Sequence, residues 1–170
     1  MLQAVIDDLS RAFPEAANGA RWQVLSDQVM GGVSTGRLTR ETVAGRRGNR
    51  LTGDVSLANN GGFLQMALDL APDGQAVDAS GFSAIEFEVR GNGEAYGLHL
   101  RTADITRPWQ SYRQAFIATK DWKRIRLPFS TFEAHRIDAP LDVSRLRRVG
   151  LVAIGRAFAA DLALAEIRFA

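Results

Sequence analysis

The sequence predicts an all-β fold, an antiparallel β-sandwich of jelly-roll type, and three observations carry that expectation. Apolar and polar residues alternate with period two in about ten short runs; Gly, Asn, Asp and Pro turns separate those runs; and no stretch between them is long enough to supply the crossover helices of a parallel sheet. With 170 residues the chain is most simply one domain, able to bury roughly 70% of the surface its unfolded form exposes.

The first segment departs from this pattern. Leu2, Val5, Ile6, Leu9 and Phe13 fall at helical spacing, and Pro14 with Asn18-Gly19 closes the segment, so residues 1–20 are expected to form a short amphipathic helix docked on a sandwich of residues 21–170. Asp7 and Asp8 argue against a membrane-surface role for it. The next stretch, 22–37, organises the chain: apolar residues enter it, Asp27 interrupts, and Gly31-Gly32 follow before alternation resumes at Val33. Paired glycines are most useful where the backbone takes positive φ or lies close against another group. Strands are then expected at 37–40, 51–57 and 63–68, with 45–49 and 59–62 as turns, and further strands at 82–90, 95–102, 111–118, 122–127, 146–154 and 162–169.

Composition excludes several chemistries. Cysteine is absent, which removes disulfides, thiolate nucleophiles and cysteine-containing metal centres, and the two histidines, His99 and His135, cannot build a multi-histidine site. No run approaches the roughly 20 apolar residues of a membrane helix, and the N-terminus does not read as a secretion signal, so a cytoplasmic protein that does not span a membrane is expected. Net charge is +2, distributed as −2 over residues 1–85 (7 basic, 9 acidic) and +4 over 86–170 (14 basic, 10 acidic). No basic stripe is interleaved with stacking aromatics, so nucleic acid is not an expected partner.

Four stretches together carry a resemblance. Asp27-Gln28-Val29-Met30-Gly31-Gly32-Val33-Ser34 with Gly36, the Asn59-Asn60-Gly61-Gly62-Phe63 loop, the Arg90-Gly91-Asn92-Gly93 turn, and Tyr96 through Leu100-Arg101-Thr102 are similar to the pattern of the complex I intermediate-associated family. Tyr112-Gln114-Phe116, Trp122 and Leu127-Pro128-Phe129 complete it. The resemblance runs from about Trp22 to the end of the chain, and its departures are the N-terminal extension and Arg107-Pro108-Trp109. It implies a galactose-binding-type jelly roll in a bacterial member of a family whose mitochondrial members help assemble respiratory NADH:ubiquinone oxidoreductase. It therefore implies an assembly factor or chaperone-like module, with Asp27, Met30, Gly31, Gly32 and Ser34 as its signature turn and Asn60, Gly61 and Gly62 as a second loop.

Read for chemistry, the residues give weaker signals. Gly32-Val33-Ser34-Thr35-Gly36 fits G-x-S-x-G, but a nucleophile elbow needs a following helix and residues 37–41 alternate like a strand, so a serine hydrolase is a remote alternative. Glu86 and Glu88 share a strand face about 7 Å apart, a glycosidase-like spacing opposite an obvious core stripe. Asp73 and Asp78 lie in a loop of the kind that holds structural calcium in jelly rolls, without ligand spacing that singles them out. His99 and Arg101 project from one strand face, which Tyr112 and Gln114 or their odd-numbered neighbours are expected to join, with Asp27 or Glu88 as an ion partner for the arginine. Trp22 and Trp122 read as packing residues, and Trp109 as a candidate platform for a sugar ring or a protein contact. The expected function is binding without catalysis: a protein partner, with respiratory-chain subunits as the implied candidates. A carbohydrate- or small-ligand-binding module is the alternative.

Overall fold

The computed structural model describes residues 2–170, except for the side chain of Asn60. Within them, twelve strands form two six-stranded antiparallel sheets. Sheet I contains β1 (Val5–Asp7), β3 (Thr35–Val43), β4 (Arg46–Val55), β6 (Ala84–Gly91), β9 (Lys123–Pro128) and β12 (Phe158–Phe169), in the order β3-β4-β12-β6-β9 with β1 also paired to β12. Sheet II contains β2 (Gln23–Ser26), β5 (Phe63–Asp69), β7 (Ala95–Thr102), β8 (Ser111–Ile117), β10 (Glu133–His135) and β11 (Leu146–Ile154), in the order β10-β8-β7-β11-β5-β2. The result is a jelly-roll-like sandwich.

Period-two patterning explains which faces meet. Leu64, Met66 and Leu68 of β5, Leu98 and Leu100 of β7, and Val149, Leu151 and Ala153 of β11 are buried, as are Ile85, Phe87 and Val89 of β6. They belong to one apolar cluster between the sheets, where Phe87 meets Phe116 edge-on with ring centroids 4.9 Å apart. In β12 the parity changes, since Leu162 and Leu164 belong to the core and so do Ile167 and Phe169. A bulge between Leu164 and Glu166 supplies the extra residue that makes this change of face.

The N-terminal segment is not a helix. Val5 pairs with Arg168 of β12, and the buried Asp7 carboxylate accepts the amides of Leu9 (3.0 Å) and Ala17 (3.1 Å) and the Trp22 indole N–H (2.6 Å). A carboxylate that takes local amides offers the backbone an alternative to helical bonding, and Leu9 itself sits at φ 63°. Residues 45–49 also differ from expectation. The β3–β4 hairpin closes from Val43 to Arg46 through Ala44 and Gly45 at φ 48° and 80°, so residues 46–49 are strand. Positive φ at both central residues is what a two-residue type I′ turn requires.

Candidate functional site

The site begins with the turn that holds its rim. Asp27 opens a 3-10 turn, Asp27–Met30, and is fully buried. One carboxylate oxygen accepts the Ser34 amide (2.9 Å); the other accepts the Ser34 hydroxyl (2.5 Å), the Gly62 amide (2.6 Å) and the Phe63 amide (3.2 Å). Burial works to raise the Asp27 pKa, and the bonds from Ser34, Gly62 and Phe63 outweigh it, holding the carboxyl below its ordinary value. A Cβ on Gly32 or on Gly61 would sit 2.5 Å from this carboxylate, so only glycine admits the approach. Gly31 caps the turn at φ 86°. The two glycine-bearing stretches of the sequence are thus halves of one knot joining the 27–34 segment to the 56–63 loop.

This knot corrects one expectation and speaks against the remote serine-hydrolase alternative. Asp27 does not pair with Arg101, because its lone pairs are used by Ser34, Gly62 and Phe63. Nor is Ser34 a nucleophile on an elbow: it is fully buried, directs its hydroxyl to Asp27 and accepts the Ser56 amide at 2.9 Å. What the knot leaves outside is apolar, with Val29 75% and Met30 53% exposed.

Met30 and Val29 form one wall of a cleft of about 300 Å³ on the outer face of sheet II. Its floor follows from strand register. Gln65 lies opposite Val152; His99 lies opposite Gly150 on β11 and Arg113 on β8; Arg101 lies opposite Arg148; and Ser111 lies opposite His135. Gly150 leaves room for the Gln65 side chain, whose amide oxygen would lie 2.4 Å from a Cβ and would have to move aside. The other wall is the 103–110 loop. Arg101 donates through Nη1 to the carbonyls of Pro108 (3.1 Å) and Gln110 (3.0 Å), while the Gln110 side chain accepts the amides of Thr106 (2.9 Å) and Arg107 (3.0 Å) and donates to the Arg136 carbonyl (3.1 Å). Trp109 stands at the top of this organised loop, 50% exposed.

His99, Arg101 and Trp109 therefore come together, and Tyr112 and Gln114 do not join them. Tyr112 pairs with Leu100 and Gln114 with Leu98, both core residues, so they share the core-facing parity. Tyr112 is buried and its hydroxyl donates to the Ala139 carbonyl at 2.8 Å. The odd-numbered Ser111 and Arg113 take the outer face. Gly61 and Gly62 belong to the knot, and the Asn60 side chain lies outside the described residues. Gln65, Arg136 and Arg148 were not singled out from sequence; Arg113 entered only among the odd-numbered alternatives to Tyr112 and Gln114, and His135 only as a histidine, not as part of this face. For Gln65, Arg113, His135 and Arg148 the signal is parity with His99, readable once register is known, whereas Arg136 follows the end of β10 and carries no such signal.

The electrostatics of the cleft are one-sided. Arg101, Arg113, Arg136 and Arg148 line it with His99 and His135, and among the described residues no aspartate or glutamate does. Arg148 has a partner in Asp69 at 2.8 Å, just beyond the cleft. Burial, followed by the charges of Arg148 and Arg147, lowers the Arg101 pKa; burial and then Arg136 lower that of Arg113. Burial, with Arg113 and His135 adding to it, pushes His99 down to about 3, so its ring is neutral at pH 7.

Other sequence candidates fall elsewhere. Glu86 and Glu88 stand on sheet I, where Arg124 and Arg46 neutralise them at 2.8 and 2.5 Å; Glu88 is thus no partner for Arg101. Asp73 and Asp78 accept the amides of Gln75 and Ser80, and no cluster of three or more metal-ligating side chains occurs among the described residues. Trp22 is buried, and the Trp122 indole donates to the Val43 carbonyl at 2.9 Å. No helix among the described residues is long and apolar enough to cross a membrane.

Comparison with solved structures places the fold among carbohydrate-binding modules of Clostridium thermocellum. The chain is similar to the family 11 module in complex with a beta-1,3-1,4-mixed-linked tetrasaccharide, at 15% identity over 98% of this chain and 94% of that one, TM-score 0.73. It is similar to the family 11 module of cellulosomal cellulase Lic26A-Cel5E at 13% identity over 99% and 95%, TM-score 0.74. The family 30 module of cellulosomal cellulase Cel9D-Cel44B follows at 17% identity over 80% and 82%, TM-score 0.60. Identities this low carry the fold alone. No curated protein matches the chain. The sequence over residues 12–164 matches the family described as Complex I intermediate-associated protein 30, and the chain belongs to that family.

Proposed function

We propose that this domain acts by binding, without turnover, as an assembly-factor module that holds a protein partner on the outer face of sheet II. Family membership supports a role toward respiratory-chain subunits. The observation that carries the reading is the cleft itself: apolar walls of Val29, Met30 and Trp109 flank a floor of half-buried arginines. Exposed aromatic and apolar anchors beside arginine are the composition of protein-contact hot spots.

The test is affinity capture of the tagged protein from gently detergent-solubilised lysate of its source organism. Enrichment of NADH:ubiquinone oxidoreductase subunits by the wild type, and their loss with Trp109→Ala, is the expected result. Equal recovery by wild type and a tag-only control would remove the assembly role. A second reading, a carbohydrate-binding module, draws on the likeness to the family 11 fold and on Trp109 as a half-exposed ring at the cleft mouth. It predicts Trp109-dependent binding of a neutral glucan with no respiratory subunit captured.

A further inference from the structure

We infer that the sheet II cleft takes a carboxylate borne by an acidic, partly apolar segment of the partner protein, with Arg113 and Arg136 facing the charge and Val29, Met30 and Trp109 facing the apolar side chain beside it. This rests on the protein-binding reading and names what that partner presents.

The argument starts from charge that the fold leaves unanswered. Among the described residues, eight arginines form ion pairs, and Arg101, Arg113 and Arg136 are not among them. Arg113 is half-buried with its Nε on the Ser111 hydroxyl at 2.7 Å. Glu133 lies opposite it in the backbone register and makes no ion pair with it. Arg101 meets carbonyl oxygens, which accept its hydrogen bonds without cancelling its charge. Taking the guanidinium groups of Arg101 and Arg113 partly out of water without a counter-ion is costly, and the exposed Arg136 adds a third positive charge to the same cleft. A carboxylate relieves both terms through charge-assisted, fork-shaped hydrogen bonds.

Two other occupants fit less well. A neutral sugar would leave the arginines desolvated without a counter-charge, and its hydroxyl donors would find few acceptors where no carboxylate lines the cleft. A free inorganic anion would answer the charge and leave Val29, Met30 and Trp109 in water, 75%, 53% and 50% exposed. Those residues stand on the two walls that flank the basic floor, where an acidic segment can set an adjacent apolar side chain against either of them.

The test uses fluorescence anisotropy of the whole protein with a labelled peptide alternating leucine and glutamate, and with its glutamine counterpart. The glutamate peptide should bind at least about tenfold more tightly. Arg113→Gln should abolish most of that preference, and the exposed Arg136→Gln should reduce it without risk to folding. Equal affinity for the two peptides, or a preference that survives both substitutions, overturns the inference. Full displacement by an equal concentration of inorganic phosphate, or tighter binding of a mixed-linked glucan tetrasaccharide than of the glutamate peptide, also overturns it. Failure of the two proposals is separable. Respiratory subunits captured equally by wild type and Arg113→Gln would retain the assembly role and remove the carboxylate. A charge-dependent peptide site with no subunit captured would do the reverse.

Discussion

The two outer faces of the sandwich use the same residue type to opposite ends. On sheet I, Arg124 reaches Glu86, Glu88 and Glu166, Arg126 reaches Glu86, and Arg46 reaches Glu88, so each carboxylate is matched on its own face. On sheet II, Arg101 and Arg113 have carbonyl and hydroxyl partners only. An arginine-rich composition thus says little about binding until the counter-ions are located. Sheet I neutralises these charges on its own face, whereas Arg101 and Arg113 on sheet II have no ion-pair partner among the described residues, which is the basis for proposing sheet II as the partner's face.

The largest expected effect comes from the knot on which the contrast depends. Asp27→Ala leaves three amides and the Ser34 hydroxyl without their acceptor, and we expect a loss of about 3 kcal/mol in chemical denaturation together with disordering of the Val29–Met30 wall. Full stability in this variant would mean that the signature stretch is not what fixes the rim. Next comes Gly32→Ala, whose methyl group would press on the same carboxylate; about 2 kcal/mol is expected by the same measurement.

The faces separate more directly through paired substitutions. Arg113→Gln should weaken partner capture about tenfold while leaving the melting temperature unchanged or slightly raised, because it removes a desolvated charge. Arg124→Gln should lower the melting temperature slightly and leave capture alone, since it breaks ion pairs on the opposite face. A binding defect from Arg124→Gln would blur the distinction.

The smallest effect is a pH dependence. The folded-state pKa of His99 is depressed to about 3, below its unfolded value near 6.5, so the unfolded chain takes up this proton first. Its contribution is therefore fully present above pH ~6.5 and is lost as pH falls toward 3. Asp27, held below its ordinary value, contributes above pH 3.8 and loses that contribution at still lower pH. In urea denaturation from pH 7 to 4.5, His135, which burial and Arg113 also lower, adds to the slope, so the share of His99 is the part that His99→Gln removes. An unchanged slope would mean that the ring is not held neutral by its surroundings.

Much of this was legible in the sequence where the information is local. Alternation located most strands, and i, i+2 spacing put His99 and Arg101 on one face. The glycine pairs at 31–32 and 61–62 were readable as shaped turns, although their shared purpose, the Asp27 carboxylate, was not. What failed was non-local. Which residues of β8 join His99 depends on a cross-strand register that no single strand encodes, and a shift of one residue exchanges Tyr112 for Arg113. At the N-terminus, Leu2, Val5, Ile6 and Leu9 satisfied a helical spacing, while pairing with β12 and the amides taken by Asp7 decided the outcome.

The most direct measurement is capture of respiratory subunits by two charge reversals of equal chemistry on opposite faces, Arg113→Glu and Arg124→Glu, each confirmed folded by its melting curve. The account predicts that Arg113→Glu loses the partner and Arg124→Glu retains it. Retention by both, or loss only with Arg124→Glu, would contradict the assignment of the partner to sheet II.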